Sequence, residues 1–205
     1  MLIESRRERG DTIIEVMFAF TIFSLIAVAG LSLMNQGVSM AQRSLEVGLV
    51  RQQIDAQADA LRYLNRAYVA NYGQDSQGVA LWREVAYENR VEQAQPFDKM
   101  SEGNKCHVPS DVFALDVQRI DTDPLLRPTQ RDADMMPTYA RINRDTASEV
   151  RAEGIWVQAV RSAESASDSR TPGFYDFHIR ACWHAPGQQA PMTMGTIVRL
   201  YEPRG

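Results

Sequence analysis

The sequence predicts an α+β protein in which a long N-terminal helix, membrane-spanning in its first half, packs its second half on an antiparallel β-sheet head. Three observations predict it. From Val16 through Gln42 no side chain is charged. From Leu45 to Tyr72 apolar residues recur at helical spacing among charged ones. Beyond that, short segments of β-branched and aromatic residues alternate with stretches rich in Pro, Asp, Gly and Ser. The 205 residues leave room for one domain and an extension, since single domains hold roughly 100–200 residues. The formal net charge of −4 offers no bulk basicity for nucleic acid.

The first element is the apolar run. Ile13-Ile14 opens it, Val16 to Ala29 forms its centre, and it reaches Leu33-Met34. A helix needs about 20 such residues to cross roughly 30 Å of hydrocarbon at about 1.5 Å per residue. A buried core helix of this length would carry a polar stripe, which is missing. Arg6, Arg7 and Arg9 precede the run and the next cation is Arg43, an asymmetry that keeps the N-terminus cytoplasmic and the head outside. An ordinary secretory signal has a shorter apolar region starting directly after its basic residues. Here Gly10-Asp11-Thr12 intervenes, and Glu15 stands inside the run. A charge at mid-membrane costs about 2.5–3.5 kcal/mol on insertion scales, so Glu15 needs a partner or a position near the interface.

A short basic leader ending in Gly10, followed by Asp11-Thr12-Ile13-Ile14-Glu15-Val16 and an uncharged helix, resembles the class III leader of type IV pilins and pseudopilins. The resemblance covers roughly residues 5–45. It implies cleavage by a prepilin peptidase between Gly10 and Asp11, which makes Glu15 the fifth residue of the mature chain. It also implies that Glu15 neutralises the new α-amino group of a neighbouring subunit. Such a pair in low dielectric is favourable only when both charges are already placed. The family's first mature residue is usually Phe or Met and is often N-methylated. Asp11 stands at that methylation site, and this departure points to a minor or accessory subunit. The alternative for Glu15 is a snorkelling carboxylate in a plain anchor helix.

After the span, Leu45, Leu49/Val50, Ile54, Ala58, Leu61, Leu64, Tyr68 and Tyr72 mark one helix face, with Arg43, Glu46, Arg51, Gln52, Asp55, Asp59 and Arg62 on the others. One helix is predicted from about Asp11 to Asn71, with Gly30, Gly37 and Gly48 as points of bending, melting or close packing and Gly73 as its stop. Val79 to Tyr87 reads as a second helix burying Leu81, Trp82, Val85 and Ala86. Gln95 to Cys106, Asp121 to Pro137 and Ser162 to Gly173 read as loops. Strands are predicted at Val112–Val117, Ile155–Val160, Phe174–Trp183 and Thr196–Tyr201. Along Phe174–Trp183, Tyr175, Phe177, Ile179, Ala181 and Trp183 share the face expected on the helix, and Asp176, His178, Arg180, Cys182 and His184 share the other.

Cys106 and Cys182 allow a single pairing. In an exported head a disulfide is the natural state, pinning the preceding loop across the outer face of the sheet and stabilising by about 2–4 kcal/mol. Comparable staples of the C-terminal region occur in many pilins. His107, His178 and His184 with the two cysteines lack the close paired spacing of structural zinc sites. Asp121-Thr122-Asp123 and Asp132-Ala133-Asp134 alternate oxygen ligands as a calcium loop does. They have no central glycine, however, and Arg127 and Arg131 lie close enough to neutralise them. Arg141, Arg144 and Arg151 with Tyr139 form a modest basic patch, interleaved with Asp145, Glu149 and Glu153 in the manner of a solvated mixed-charge surface rather than a DNA site. No serine elbow, phosphate loop or paired-histidine protease spacing occurs, so neither an enzyme nor a cofactor is expected.

The organisation expected is a cleavable leader at 1–10, a transmembrane and filament-core helix at 11–42, an amphipathic continuation at 43–72, and an α+β head at 73–205. By resemblance, the function is that of a structural subunit of a type IV pilus or a type II secretion-like filament. Its partners would be other pilin subunits, prepilin peptidase, membrane lipid and an assembly platform, with no nucleic acid. Its location would be the cytoplasmic membrane and then an extracellular fimbrium, where cell adhesion is one role. The alternative is a single-span anchored adhesin or receptor that does not polymerise. Processing separates the two, since a simple anchor keeps its leader.

Overall fold

The computed structural model describes residues 13–128, 138–146, 149–162 and 173–203. Helix α1 runs from Ile13 to Ala70, 58 residues without interruption. The helical ladder continues through Gly30, Gly37 and Gly48, so none of them melts it. A Cβ at any of the three would meet nothing within 4 Å, so close packing inside the chain does not require them either. An isolated glycine costs only about 1 kcal/mol in a helix, too little to break so long a ladder. The chain leaves α1 through a turn in which Gly73 takes φ +77°, the left-handed conformation glycine adopts without strain.

The chain divides after Gln42 into two compact units. In the second, α1 buries Val50, Ile54, Ala58, Leu61, Leu64 and Tyr68, the stripe expected from the periodicity. Leu45 and Leu49 fall off that stripe and are exposed. Glu46, expected among the solvated positions, is buried. The stripe drifts because 3.6 residues per turn do not divide the four-residue steps evenly, and it carries Glu46 inward in place of Leu45.

Helix α2 (Gln77–Trp82) is capped by Ser76 and continues as one π-helical turn, Arg83–Glu88. Val79, Leu81, Trp82, Val85 and Ala86 point into the core. Strand β1 (Arg90–Val91) follows. The expected strand at Val112–Val117 contracts to β2 (Ala114–Leu115), because Asp116 turns the chain into a 3₁₀ turn by accepting from the Gln118 amide at 3.0 Å. Its partner, β3 (Leu125–Leu126), lies in a stretch read as loop. A hairpin of β4 (Arg141–Thr146) and β5 (Glu149–Glu153) was not predicted. Its charged sequence hides the alternation, and Ala152 and Ile142 are the side chains that reach the core. Expected loop residues 129–137 and 163–172 lie outside the described residues.

The main sheet has the order β1-β6-β7-β8, with β6 (Ile155–Arg161), β7 (Phe174–Trp183) and β8 (Met192–Tyr201) forming an antiparallel meander. Its register places Val157 opposite Ile179 and Ile179 opposite Thr196. The antiparallel expectation needs one correction: β1 pairs parallel to β6, over two residues, on the edge that the meander leaves open. Tyr175, Phe177, Ile179, Ala181 and Trp183 are fully buried in the main core with α1 and α2, as the alternation along β7 predicts. Trp82 anchors that core, stacked on Tyr68 at 5.5 Å and edge-on to Phe177 at 5.7 Å.

Candidate functional site

The molecule's most unusual surface is the first half of α1. Every large apolar side chain from Ile13 to Met40 is at least 49% exposed. Contiguous apolar surface on this scale marks contact with a membrane or a partner, because water penalises every square ångström of it. The segment is long and apolar enough to cross a membrane. Two hydroxyls near its centre are satisfied within the helix: Thr21 Oγ1 donates to the Met17 carbonyl at 2.8 Å, and Ser24 Oγ to the Phe20 carbonyl at 2.8 Å. Internal satisfaction of every polar group is what hydrocarbon surroundings demand.

Glu15 lies in the first turn of α1 with its side chain exposed. The unpaired amides of that turn carry partial positive charge, which favours a carboxylate there. Gly10 and Asp11 lie outside the described residues.

Cys106 and Cys182 form a disulfide with a Cα–Cα distance of 5.7 Å. Cys182 alternates with Ala181 and Trp183 and so faces away from α1. It is nevertheless fully buried, in a second cluster with Met100, Val108, Val112 and Trp156. The segment that covers it includes 3₁₀ turns between Phe97 and Asn104, where an irregular loop was expected. That segment is tied down at three points. Besides the disulfide, Arg180 Nη1 donates to the Gln95 carbonyl, and the Gln95 amide donates to Gln158 Oε1 at 3.0 Å. Gly154 is required beneath it: φ is +65°, and a Cβ would sit 2.5 Å from the Cys182 carbonyl oxygen.

The remaining sequence candidates do not converge. The cysteines are consumed by the disulfide, and His107 Nε2 lies 2.8 Å from the Glu102 carbonyl oxygen. Burial, then the Arg180 charge, lowers the pKa of His178 below the usual imidazole range. Among the described residues no group of three or more acidic, His or Cys side chains could hold a metal. Asp121 accepts from Tyr63 Oη at 2.8 Å, while Asp132 and Asp134 lie outside the described residues. The basic patch is corrected in character. Arg144 pairs with buried Asp116, and Arg141 lies 3.7 Å from buried Glu153 and over the Tyr139 ring. Arg144 thereby fastens the β4-β5 hairpin to the 3₁₀ turn at Asp116, whereas Arg141 and Glu153 pair across the hairpin itself.

Two polar contacts escaped the sequence reading. Gln57, fully buried on α1, donates to the Leu115 carbonyl and accepts from the Leu115 amide, each at 2.7 Å. Glu46 accepts from Trp183 Nε1 at 3.2 Å, and burial, opposed by that bond, raises its pKa above the usual carboxylate range. A lone Gln or Glu on a helix carries no local signal that it will be buried. Comparison with protein-family models, curated proteins and solved structures yields no match to the chain. The long apolar helix, the mostly antiparallel sheet packed on its continuation and the stapled outer loop make the architecture pilin-like.

Proposed function

We propose that the chain is a structural subunit, of the minor class, of a type IV pilus or a related secretion filament. It is held in the cytoplasmic membrane before assembly, with its head outside. The observation that carries this reading is the combination of an uncovered apolar helix from Ile13 to Met40 with Glu15 in its first turn. A plain membrane anchor leaves Glu15 to snorkel at the interface, whereas a filament gives that carboxylate a charged partner. A neighbouring subunit's α-amino group, freed at Asp11 by cleavage after Gly10, supplies the compensating charge. The disulfide supports an oxidising, extracytoplasmic head. The partners in this reading are other pilin subunits, a prepilin peptidase, lipid and an assembly platform, and the role is structural rather than enzymatic.

The test is N-terminal mass analysis of the protein produced with and without a prepilin peptidase, alongside Gly10→Ala. The expected mature chain starts at Asp11, requires the peptidase and disappears in the variant. An uncut chain overturns the reading in favour of a plain anchored head, and cleavage beyond Leu33 overturns it in favour of a secreted one.

A further inference from the structure

At the C-terminal end of α1 the head carries an open cleft of about 670 Å³ lined by Tyr68, Tyr72, Gln74, Asp75, Arg83 and Tyr87. It lies within the size range of small-molecule sites, roughly 300–1,000 Å³. Its aromatic wall is rigid. Tyr68 stacks on Trp82 at 5.5 Å, and Tyr72 stands edge-on to Tyr68 at 5.7 Å. Tyr87 packs against Tyr175 at 5.6 Å, donates its hydroxyl to Glu202 and lies 3.5 Å from the Tyr68 hydroxyl. These hydroxyls are therefore engaged behind the cleft, and Tyr72, 44% exposed, is the ring left open to an incoming ligand.

The other wall is polar and unengaged. Gln74, Asp75 and Arg83 side chains make no hydrogen bond or ion pair with any described residue. Arg83 and Tyr87 both belong to the π-helical turn that follows Trp82. Such turns are uncommon and occur disproportionately at functional sites. Here the wider turn brings a guanidinium and a phenol four positions apart onto the cleft.

The composition of the wall selects a ligand class. A phosphate or polyanion calls for surplus positive charge, whereas Arg83 and Asp75 cancel. A proline-rich peptide calls for a run of open aromatic rings, whereas one ring is open here. A sugar ring presents an apolar C–H face and a rim of hydroxyls that both donate and accept. That suits an exposed tyrosine flanked by a donor (Arg83), an acceptor (Asp75) and an amide that does both (Gln74). We propose that this cleft binds a neutral saccharide, with Tyr72 as the stacking platform and Gln74, Asp75 and Arg83 as the groups that read its hydroxyls. The site belongs to the head and stands whether or not the chain assembles into a filament.

The experiment uses the full chain in lipid nanodiscs, since sugar-headed detergents would compete. Retention is measured on an immobilised panel of cellotetraose, chitotetraose, maltotetraose and galactobiose, with heparin and a proline-rich peptide as comparators. The expected result is retention by a neutral sugar that falls at least about tenfold in both Tyr72→Ala and Arg83→Ala. Tyr72→Phe should keep both the binding and the ring contact with Tyr68, and Arg83→Ala should leave the melting temperature unchanged because its side chain is exposed and unpaired among the described residues. Absence of binding across the neutral panel, binding unaffected by both alanine variants, or binding confined to heparin or to the peptide overturns the proposal.

Discussion

Between Ile13 and Met40, α1 leaves its large apolar side chains bare, whereas between Val50 and Tyr68 it buries one stripe of them completely and keeps its charges outside. The backbone is the same continuous helix throughout. What differs is the pattern around the axis: apolar all round in the first stretch, one-sided in the second. A one-sided helix finds its partner in its own chain. An all-round apolar helix has to find it elsewhere, in lipid or in other helices. Internal packing and an uncovered apolar surface are therefore written on consecutive lengths of one element, and substitutions in each should produce different phenotypes.

The largest contrast is expected from paired leucines. Leu61→Ala, in the packed length, should cost the head about 2–5 kcal/mol in urea unfolding of the full chain in micelles. Leu25→Ala should leave that curve within about 0.5 kcal/mol of the parent. Equal losses would mean that the first length also packs on the head. Next, replacing both Cys106 and Cys182 with serine should cost about 2–4 kcal/mol and expose the Phe97–Asn104 segment to protease, leaving helix content unchanged. Gln57→Leu should cost about 1–3 kcal/mol by stranding the buried Leu115 amide and carbonyl. Retained stability there would show that water reaches Leu115.

The smallest effect concerns pH. Burial raises the Glu46 pKa above its ordinary 4.5, so the folded state holds this proton more tightly than the unfolded chain does. Its contribution to stability is therefore greatest below 4.5 and declines as pH rises through the elevated value. Glu46→Gln mimics the protonated form. The stability of the parent relative to this variant should fall from acidic to neutral pH, and a difference that stays flat would place the carboxylate in solvent.

Much of the layout was legible beforehand for identifiable reasons. Strand β7 was readable because Tyr175, Phe177, Ile179, Ala181 and Trp183 alternate with polar residues over ten positions. The β4-β5 hairpin was not, because Arg141, Arg144, Arg151 and Glu153 swamp the signal of Ile142 and Ala152. Arg141 and Arg144 read as part of a surface patch until Glu153 and Asp116 are seen buried against them. The candidate site divides in the same way. The apolar run and Glu15 are contiguous and visible in the sequence, whereas the tyrosine cleft joins α1 to the turn after α2.

The sequence by itself determined the elements whose driving force is local: the uncharged apolar length, its start at a carboxylate, the amphipathic continuation, and strands with strict alternation. Side-chain period and composition are properties of the chain, whatever it packs against. Tertiary structure alone decided which polar groups are buried, namely Glu46 against Trp183 and Gln57 on Leu115, and it decided the parallel edge at β1 and the burial of the Cys106–Cys182 staple. The physical reason is that desolvation and hydrogen-bond satisfaction depend on neighbours brought from distant sequence positions, 137 residues apart for Glu46 and Trp183.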